Sequence, residues 1–266
     1  MSELVTSLQN TTVKLVVSLK QKKKRDEMGL FTAEGVRLIE EAVSSDWIIE
    51  TCLYTEHSLN NDRVKGIINS LEDKACKMIK VSESVFDKIS DTEQPQGIMI
   101  IIKKRSYTLN HMLASDNPLI VVLDSLQDPG NLGTVIRTAD AAGATSVVLT
   151  KGCTDVYASK AVRATMGSLF HLPVVSGVNQ DDLISFVSDN SINLTATSLS
   201  SSSVYFEADF SKPVAIVFGN EGRGVSDRLL DASNNKVFIP IFGAAESLNV
   251  AASAAVILYE AVRQRC

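Results

Sequence analysis

The stretch Leu119-Ile-Val-Val-Leu-Asp-Ser-Leu-Gln-Asp-Pro-Gly-Asn-Leu-Gly-Thr-Val-Ile-Arg-Thr138 decides the fold class. Leu119 to Leu123 is an unbroken apolar run, the pattern of a strand buried on both faces. Pro129-Gly130 then turns the chain, Asn131 is placed to cap a helix, and Gly143 is placed to end it. Strand, polar turn and helix in this order form the repeating unit of a mostly parallel sheet covered by helices. The same alternation continues downstream. It predicts strands at Ser146 to Leu149, Leu172 to Val175, Asn193 to Ala196, Val214 to Phe218 and Lys236 to Ile239. Helices are predicted near Tyr157 to Ala164, Gln180 to Val187, Ser226 to Asp231 and Leu248 to Arg263.

Two more glycine-punctuated segments follow predicted strands, Val217-Phe-Gly-Asn-Glu-Gly-Arg-Gly224 and Ile239-Pro-Ile-Phe-Gly-Ala-Ala-Glu-Ser-Leu-Asn-Val250. Open α/β sheets bind ligands just beyond the carboxyl ends of their strands. In the first of the three segments, Asn131 sits at the helix mouth, and Arg137, further in, offers a planar fork for phosphate or carboxylate. In the second, Gly219 and Gly222 allow close backbone approach, which can admit a nucleoside against main-chain groups, and Glu221 can bond a polar substrate group or Arg137. In the third, Ser247 can cap the last helix, and Asn249 carries an amide that needs partners if buried. Each segment alone is accounted for by a turn, a cap or an ordinary surface arginine. The ordered set of three is not.

The first hundred residues read as a separate small α/β domain. Phe31-Thr-Ala-Glu-Gly-Val-Arg-Leu-Ile-Glu-Glu-Ala-Val43 has helical spacing, with Thr32 as its cap and Gly35 in its first turn. Strand Trp47 to Tyr54, helix Asn61 to Leu71, strand Lys77 to Val81, helix Ser82 to Ile89 and strand Gly97 to Lys103 follow. Polar residues Ser106 to Asn117 serve as linker, with the division set at residue 110: domains 1–110 and 111–266. Ser198 to Ser203 is a short serine-rich loop.

The net charge of −5 argues against a nucleic-acid partner until its distribution is considered. Residues 1 to 113 balance 16 basic against 16 acidic side chains, so the excess acidity lies wholly in the remainder. Lys14, Lys20, Lys22, Lys23, Lys24 and Arg25 precede the first acidic residue of their stretch, Asp26. Such a patch is either a solvated surface or a footing for RNA. Cys52, Cys76, Cys153 and Cys266 are scattered, as are His57, His111 and His171, which predicts reduced thiols and no metal centre. Met1-Ser-Glu-Leu opens a polar stretch, and no apolar run reaches the roughly 20 residues needed to span a bilayer. The expectation is a cytoplasmic protein with no membrane partner.

Taken together, the three segments resemble the signature motifs of SpoU/TrmH-type RNA 2'-O-ribose methyltransferases of the SPOUT superfamily, across nearly all of residues 118 to 266. The resemblance implies a trefoil-knotted, mostly parallel α/β methyltransferase domain, S-adenosylmethionine as cofactor and no metal. The N-terminal part resembles the small L30e/L7Ae-like α/β substrate-binding domain of many ribosomal RNA members, through Phe31-Thr-Ala-Glu-Gly-Val-Arg37 and Gln94-Pro-Gln-Gly97. By motif position, Phe218, Gly219, Asn220, Glu221, Ile239, Pro240, Ile241, Ser247, Leu248, Asn249 and Ala252 are expected to line the cofactor. Asn131, Arg137, Glu221, Ser247 and Asn249 fall on the positions associated with catalysis and substrate placement. Ala251 stands where many members carry a small hydroxyl residue.

The expected RNA contacts are Lys20, Lys22, Lys23, Lys24, Arg25 and Arg137, with Arg163 added because Lys160-Ala-Val-Arg-Ala-Thr-Met-Gly167 is similar to the family. The resemblance also implies a homodimer, with the helix from Leu248 as a contact. The function so implied is 2'-O-methylation of a ribose in RNA, ribosomal RNA first. The alternatives are tRNA as substrate, or a non-catalytic RNA-binding assembly factor that keeps the fold. A dinucleotide oxidoreductase is disfavoured because no G-x-G-x-x-G follows the first strand of the second domain.

Overall fold

The computed structural model describes residues 4–201 and 203–266; Met1 to Glu3 of the polar start and Ser202 of the serine-rich loop lie outside the described residues. The chain divides into two compact units. One holds the chain up to Arg105 together with Tyr157–Phe170, and the other holds Ser106–Val156 and His171–Cys266.

The first unit opens with α1 (Thr11–Leu19), where Asn10 accepts the amide hydrogens of Thr12 and Val13. Sequence patterning did not anticipate this helix. Then come α2 (Lys22–Met28), β1 (Leu30–Glu34), α3 (Val36–Ser44), β2 (Ile49–Tyr54), α4 (Asp62–Asp73), β3 (Lys77–Lys80), α5 (Glu83–Ile89) and β4 (Ile98–Lys103). The sheet order is β1-β4-β2-β3, with β4 antiparallel to both neighbours and β3 parallel to β2.

The segment from Phe31, expected as a helix capped by Thr32, is a strand. Leu30 to Glu34 pair residue by residue with Lys103 to Met99 of β4, and Thr32 lies inside that strand. Gly35, at φ +106°, makes the break, and α3 starts only at Val36. A left-handed φ at that point suits glycine alone, which is why the strand and helix can abut. Phe31 packs on Tyr157 and Trp47 at ring-centroid distances of 4.8 and 6.0 Å, and Trp47 on Phe170 at 5.4 Å. These aromatic contacts tie Tyr157–Phe170 into the first unit.

The second unit comprises β5 (Leu119–Leu123), α6 (Pro129–Ala141), β6 (Ser146–Thr150), β7 (Val174–Val178), α8 (Gln180–Asp189), β8 (Asn193–Thr197), β9 (Val214–Phe218), α9 (Asp227–Ala232), β10 (Asn235–Val237) and α10 (Val250–Arg265); the intervening α7 (Ser159–Ala164) belongs to the first unit. Six strands run in the order β10-β8-β9-β5-β6-β7, every pairing parallel. All five residues of β5, β6 and β9 are buried, as a sheet covered on both faces requires. The expected linker contains a short turn of 3-10 helix at Leu109–Leu113, whose Met112 is fully buried in the core of the second unit. Among the described residues no helix is long and apolar enough to cross a membrane.

Two features of this sheet position the site. The register sets Leu123 beside Phe218, so the turns leaving β5 and β9 begin side by side. The second feature is the packing of α10 against α6. Leu132, Val135, Ile136 and Ala139 of α6 are buried, as are Ala251, Ala254, Ile257, Leu258 and Ala261 of α10. This packing brings the N-terminal ends of the two helices to the same place, where a side-chain amide on one bonds a side-chain amide on the other.

Candidate active site

The turn after β5 ends at Asp128, whose carboxylate accepts the N–H of Asn131 at 2.7 Å, and Pro129 is the first residue of α6. Asp128 is therefore the helix cap, where Asn131 was expected, and Pro129 opens the helix instead of turning the chain ahead of it. Proline at that position loses no hydrogen bond and has its φ preset. Asn131, freed from capping, turns its side chain to other segments. Its Nδ2 donates to Glu221 Oε1 at 3.1 Å, and its Oδ1 accepts from Asn249 Nδ2 at 3.0 Å. The three glycine-punctuated segments are thus joined through one side chain.

Asn249 is also the cap of α10, its Oδ1 accepting from the N–H groups of Ala251 and Ala252. The sequence assigned that cap to Ser247, which is instead exposed two residues upstream. Asn249 is exposed too, yet both ends of its amide are used, one on α10 and one on Asn131.

Glu221 gathers donors from the turn after β5. Besides Asn131 it accepts from the N–H groups of Asp128 at 3.1 Å and Gln127 at 3.3 Å. Burial pushes its pKa up, but donation from its own N–H, from Asn131 and from those two amides outweighs burial and holds the carboxyl below the usual glutamate value. The loop carrying Glu221 is tightly closed. Asn220 and Gly224 exchange both main-chain hydrogen bonds at 2.9 Å, and Asn220 Oδ1 accepts from the N–H groups of Gly222 and Arg223. Gly219 lies so close that a Cβ on it would overlap the carbonyl of Gly224 and the nitrogen of Val225. Only glycine fits there.

The other expected cofactor residues fall as follows. Phe218 is buried and its carbonyl accepts from the Asp124 N–H, so it is scaffold beneath the loop. Ile239, Pro240 and Ile241 are half-buried, whereas Leu248 and Ala252 are exposed. Among the described residues the main chain from Ile239 to Leu248 makes no hydrogen bond. A run of unspent N–H and C=O groups leading to Asn249, which the Asn131 amide links to the loop of Glu221, fits a nucleoside cofactor held by main chain.

Arg137 is exposed on α6 and has no hydrogen bond or ion pair among the described residues; it is not joined to the Asn131 chain. The basic stretch of the first unit is less uniform than its sequence suggests. Lys22 and Lys23 are exposed on α2. Lys24 bonds Glu27 at 2.7 Å, and Lys20 pairs with Asp91 at 2.7 Å. Arg25 is only 5% exposed and donates to the carbonyls of Leu19 and Lys20 at 2.8 and 2.9 Å, closing the end of α1. It is an internal cap, unsuited to the RNA contact expected of it. Arg163 is likewise turned inward. It lines a small cavity with Lys20, Glu34 and Asp91, and its Nη1 is buried.

Motif order did not single out Asp124 or Gln127. Asp124 is a buried carboxylate that bonds three elements, and Gln127 feeds Glu221 through its N–H. The sequence does carry a signal for Asp124: a lone acid directly after a strand buried on both faces.

Comparisons with known proteins point one way. The SpoU rRNA Methylase family profile matches residues 118–259, and that of the MRM3-like substrate binding domain matches residues 10–100. The 23S rRNA (guanosine(2553)-2'-O)-methyltransferase RlmP of Bacillus subtilis is 36% identical, covering 96% of this chain and 97% of its own. The crystal structure of an AdoMet-bound rRNA methyltransferase from Sinorhizobium meliloti is 36% identical and superposes with a TM-score of 0.89 over 98% of each chain. The SpoU methyltransferase AviRb from Streptomyces viridochromogenes, solved with AdoMet, is 30% identical with a TM-score of 0.90, over 97% of this chain and 98% of that one.

The lowered pKa of Glu221 gives a pH test. A carboxylate held below its unfolded value contributes stability that is complete above the ordinary glutamate value of about 4.5 and is lost as pH falls through the lower folded value. In urea titrations, wild type is expected to exceed Glu221→Gln by a constant small margin at neutral pH and to lose that margin progressively as pH falls from about 4.5 through the lower folded value. The same margin at about pH 7 and about pH 3 contradicts the bonding described here.

Proposed function

The chain belongs to the SpoU rRNA Methylase family, and from that premise we propose that it transfers a methyl group from S-adenosylmethionine to a ribose 2'-oxygen of ribosomal RNA. The observation that carries this reading is the joining of Glu221, Asn131 and Asn249 into one polar chain, because it gathers three segments far apart in sequence around a single place. S-adenosylmethionine presents its methyl on a sulfonium and so supplies an electrophilic carbon without a metal. The residues that would hold it are Gly219 to Glu221, Ile239 to Ile241 and Ser247 to Ala252, chiefly through main-chain groups, a reading supported by the close packing at Gly219 and the unbonded main chain of Ile239 to Leu248.

What remains for the side chains is to align the ribose and handle one proton. Alignment of two reactants is worth about 7 to 11 kcal/mol in well-oriented intramolecular reactions. Arg137 has a free planar guanidinium, which suits it to grip an RNA phosphate and to stabilise negative charge developing on the 2'-oxygen. A guanidinium stays protonated, so Arg137 does not take the proton. Glu221 is a weakened base already holding three donors from other residues, and its role is to orient Asn131. The exposed hydroxyl of Ser247 is the group left to receive the hydrogen bond of the 2'-hydroxyl and direct its proton to water.

We assign substrate binding to residues 1–110 and methyl transfer to 111–266, a division supported by the two profile matches. Lys22 and Lys23 carry the basic footing for RNA. The trefoil knot is part of the same reading, supported by family membership and by α10 packing on α6 instead of beside its own edge strand. A cytoplasmic location, beside the ribosomal RNA substrate, belongs to the same proposal.

A homodimer is supported by the outer face of α10. Ala252, Val256, Tyr259 and Arg263 form a helical stripe, with Val256 36% and Tyr259 54% exposed. Sedimentation is expected to show a dimer that Val256→Asp converts to a monomer with little transfer; a fully active wild-type monomer at dilute concentration contradicts it.

The chemistry is tested by labelled methyl transfer to ribosomal RNA from cells lacking this protein, with the labelled ribose mapped. Arg137→Ala is expected to lose about 100-fold or more in turnover, the scale of one transition-state donor, and Arg137→Lys is expected not to restore it. Near-wild-type turnover in Arg137→Lys rules out a need for the planar fork.

A further inference from the structure

Asp124 is 1% exposed, and the hydrogen-bond partners of its carboxylate donate to it. Oδ1 accepts from Thr150 Oγ1 at 2.9 Å and Gln180 Nε2 at 3.1 Å, and Oδ2 accepts from the N–H of Ser226 at 2.9 Å. The Ser125 hydroxyl adds a contact to Oδ1 at 3.5 Å. None of these donors is a cation, so no ion pair offsets the cost of burying the charge, and the bonds themselves must do so. An acceptor-only group fits such a shell, while an asparagine would direct an NH2 into it.

The positions of these bonds carry more than their number. The Asp124 N–H donates to the carbonyl of Phe218 at 2.9 Å, at the start of the glycine loop, and its carboxylate holds the N–H of Ser226 at the end of that loop. Between those points Asn220 Nδ2 donates to the carbonyl of Ser125 at 2.8 Å. Gln180 doubles the far link, since its Nε2 also donates to Ser226 Oγ at 2.8 Å. The loop that bears Gly219, Asn220 and Glu221 is therefore fastened at both ends by one residue.

We infer that Asp124 is the positioning residue of the cofactor loop: by holding Phe218 and Ser226 it sets the shape that Gly219 to Glu221 present to S-adenosylmethionine. The inference rests on the methyltransferase reading above. It assigns Asp124 no contact with substrate or reacting atoms. Loss of the carboxylate is expected to loosen the loop, weaken cofactor binding, and leave the RNA contacts of α2 untouched.

Calorimetric titration of S-adenosylmethionine into the full chain tests this, with wild type, Asp124→Asn and Val187→Ala compared and their melting temperatures recorded. Val187→Ala truncates a buried residue further along α8 and serves as a control for general loss of stability. Asp124→Asn is expected to weaken S-adenosylmethionine by about tenfold or more, the scale of one hydrogen bond to a charged group, and to raise the KM for the cofactor without moving the KM for RNA. The control is expected to melt earlier with cofactor affinity within about twofold of wild type. Unchanged cofactor affinity in a folded Asp124→Asn overturns the inference, as does an equal loss in the control. If Asp124→Asn does not fold, Ser226→Pro, at a φ of −62° that proline tolerates, removes the N–H that Asp124 Oδ2 holds. Weakened binding there supports the inference and unchanged binding overturns it. A wild type that binds no S-adenosylmethionine removes the methyltransferase reading and this inference with it.

Discussion

The parallel pairing of β5 with β9, from Leu119 opposite Val214 to Leu123 opposite Phe218, is the constraint on which the rest of the site depends. Both strands are wholly buried, so sliding one against the other would carry apolar side chains out of a packed core. With the register fixed, two turns leave the sheet at the same level, and the polar side chains on them are within reach of each other. Asp124 then meets Ser226, Ser125 meets Asn220, and the amides of Gln127 and Asp128 meet Glu221. The third segment arrives by another route, on the end of a helix whose small buried residues let it lie against α6. Asn131 closes the arrangement because its amide has a donor end for Glu221 and an acceptor end for Asn249.

Neutral groups predominate in this network. Asp124 and Glu221 are both carboxylates, yet their partners are amides and hydroxyls, and the arginine on α6, Arg137, is left unpaired among the described residues. Amide networks fix geometry through directed bonds, and this one engages no guanidinium. Under the proposed function, the hydrogen-bonded loop would serve alignment and the arginine would place a cation near developing charge, the two demands of methyl transfer from a sulfonium to a ribose.

Strands β5 and β9 were legible in the sequence because an apolar run of five residues bounded by polar turns fits a strand buried on both faces, whereas β7, expected at Leu172 to Val175, runs from Val174 to Val178 and has no such run. The positions of Asn131, Glu221 and Asn249 were legible through motif order. Their bonding was not. Whether Asn131 or Asp128 caps α6 depends on which side chain has a better partner elsewhere, and Glu221 supplies one only once the sheet has formed. The error at Phe31 to Glu34 has a similar source: helical spacing was present, but pairing with β4 and the left-handed Gly35 overrode it. Arg25 looked like part of a basic surface because charge runs carry no information about burial, and only the end of α1 reveals the carbonyls it serves. The inclusion of Tyr157–Phe170 in the first unit had no linear signal, since it is set by aromatic contacts with Phe31 and Trp47.

Three separated segments are joined through the Asn131 amide, and they are expected to act as one site. A double-mutant cycle on methyl transfer to ribosomal RNA, with Asn131→Ala, Glu221→Ala and the double variant, measures it most directly. Strong non-additivity is expected, the second substitution costing little once the first is made, with a coupling of about 1 kcal/mol or more. Losses that add to within about 0.5 kcal/mol would mean that the two residues work independently, and would contradict it.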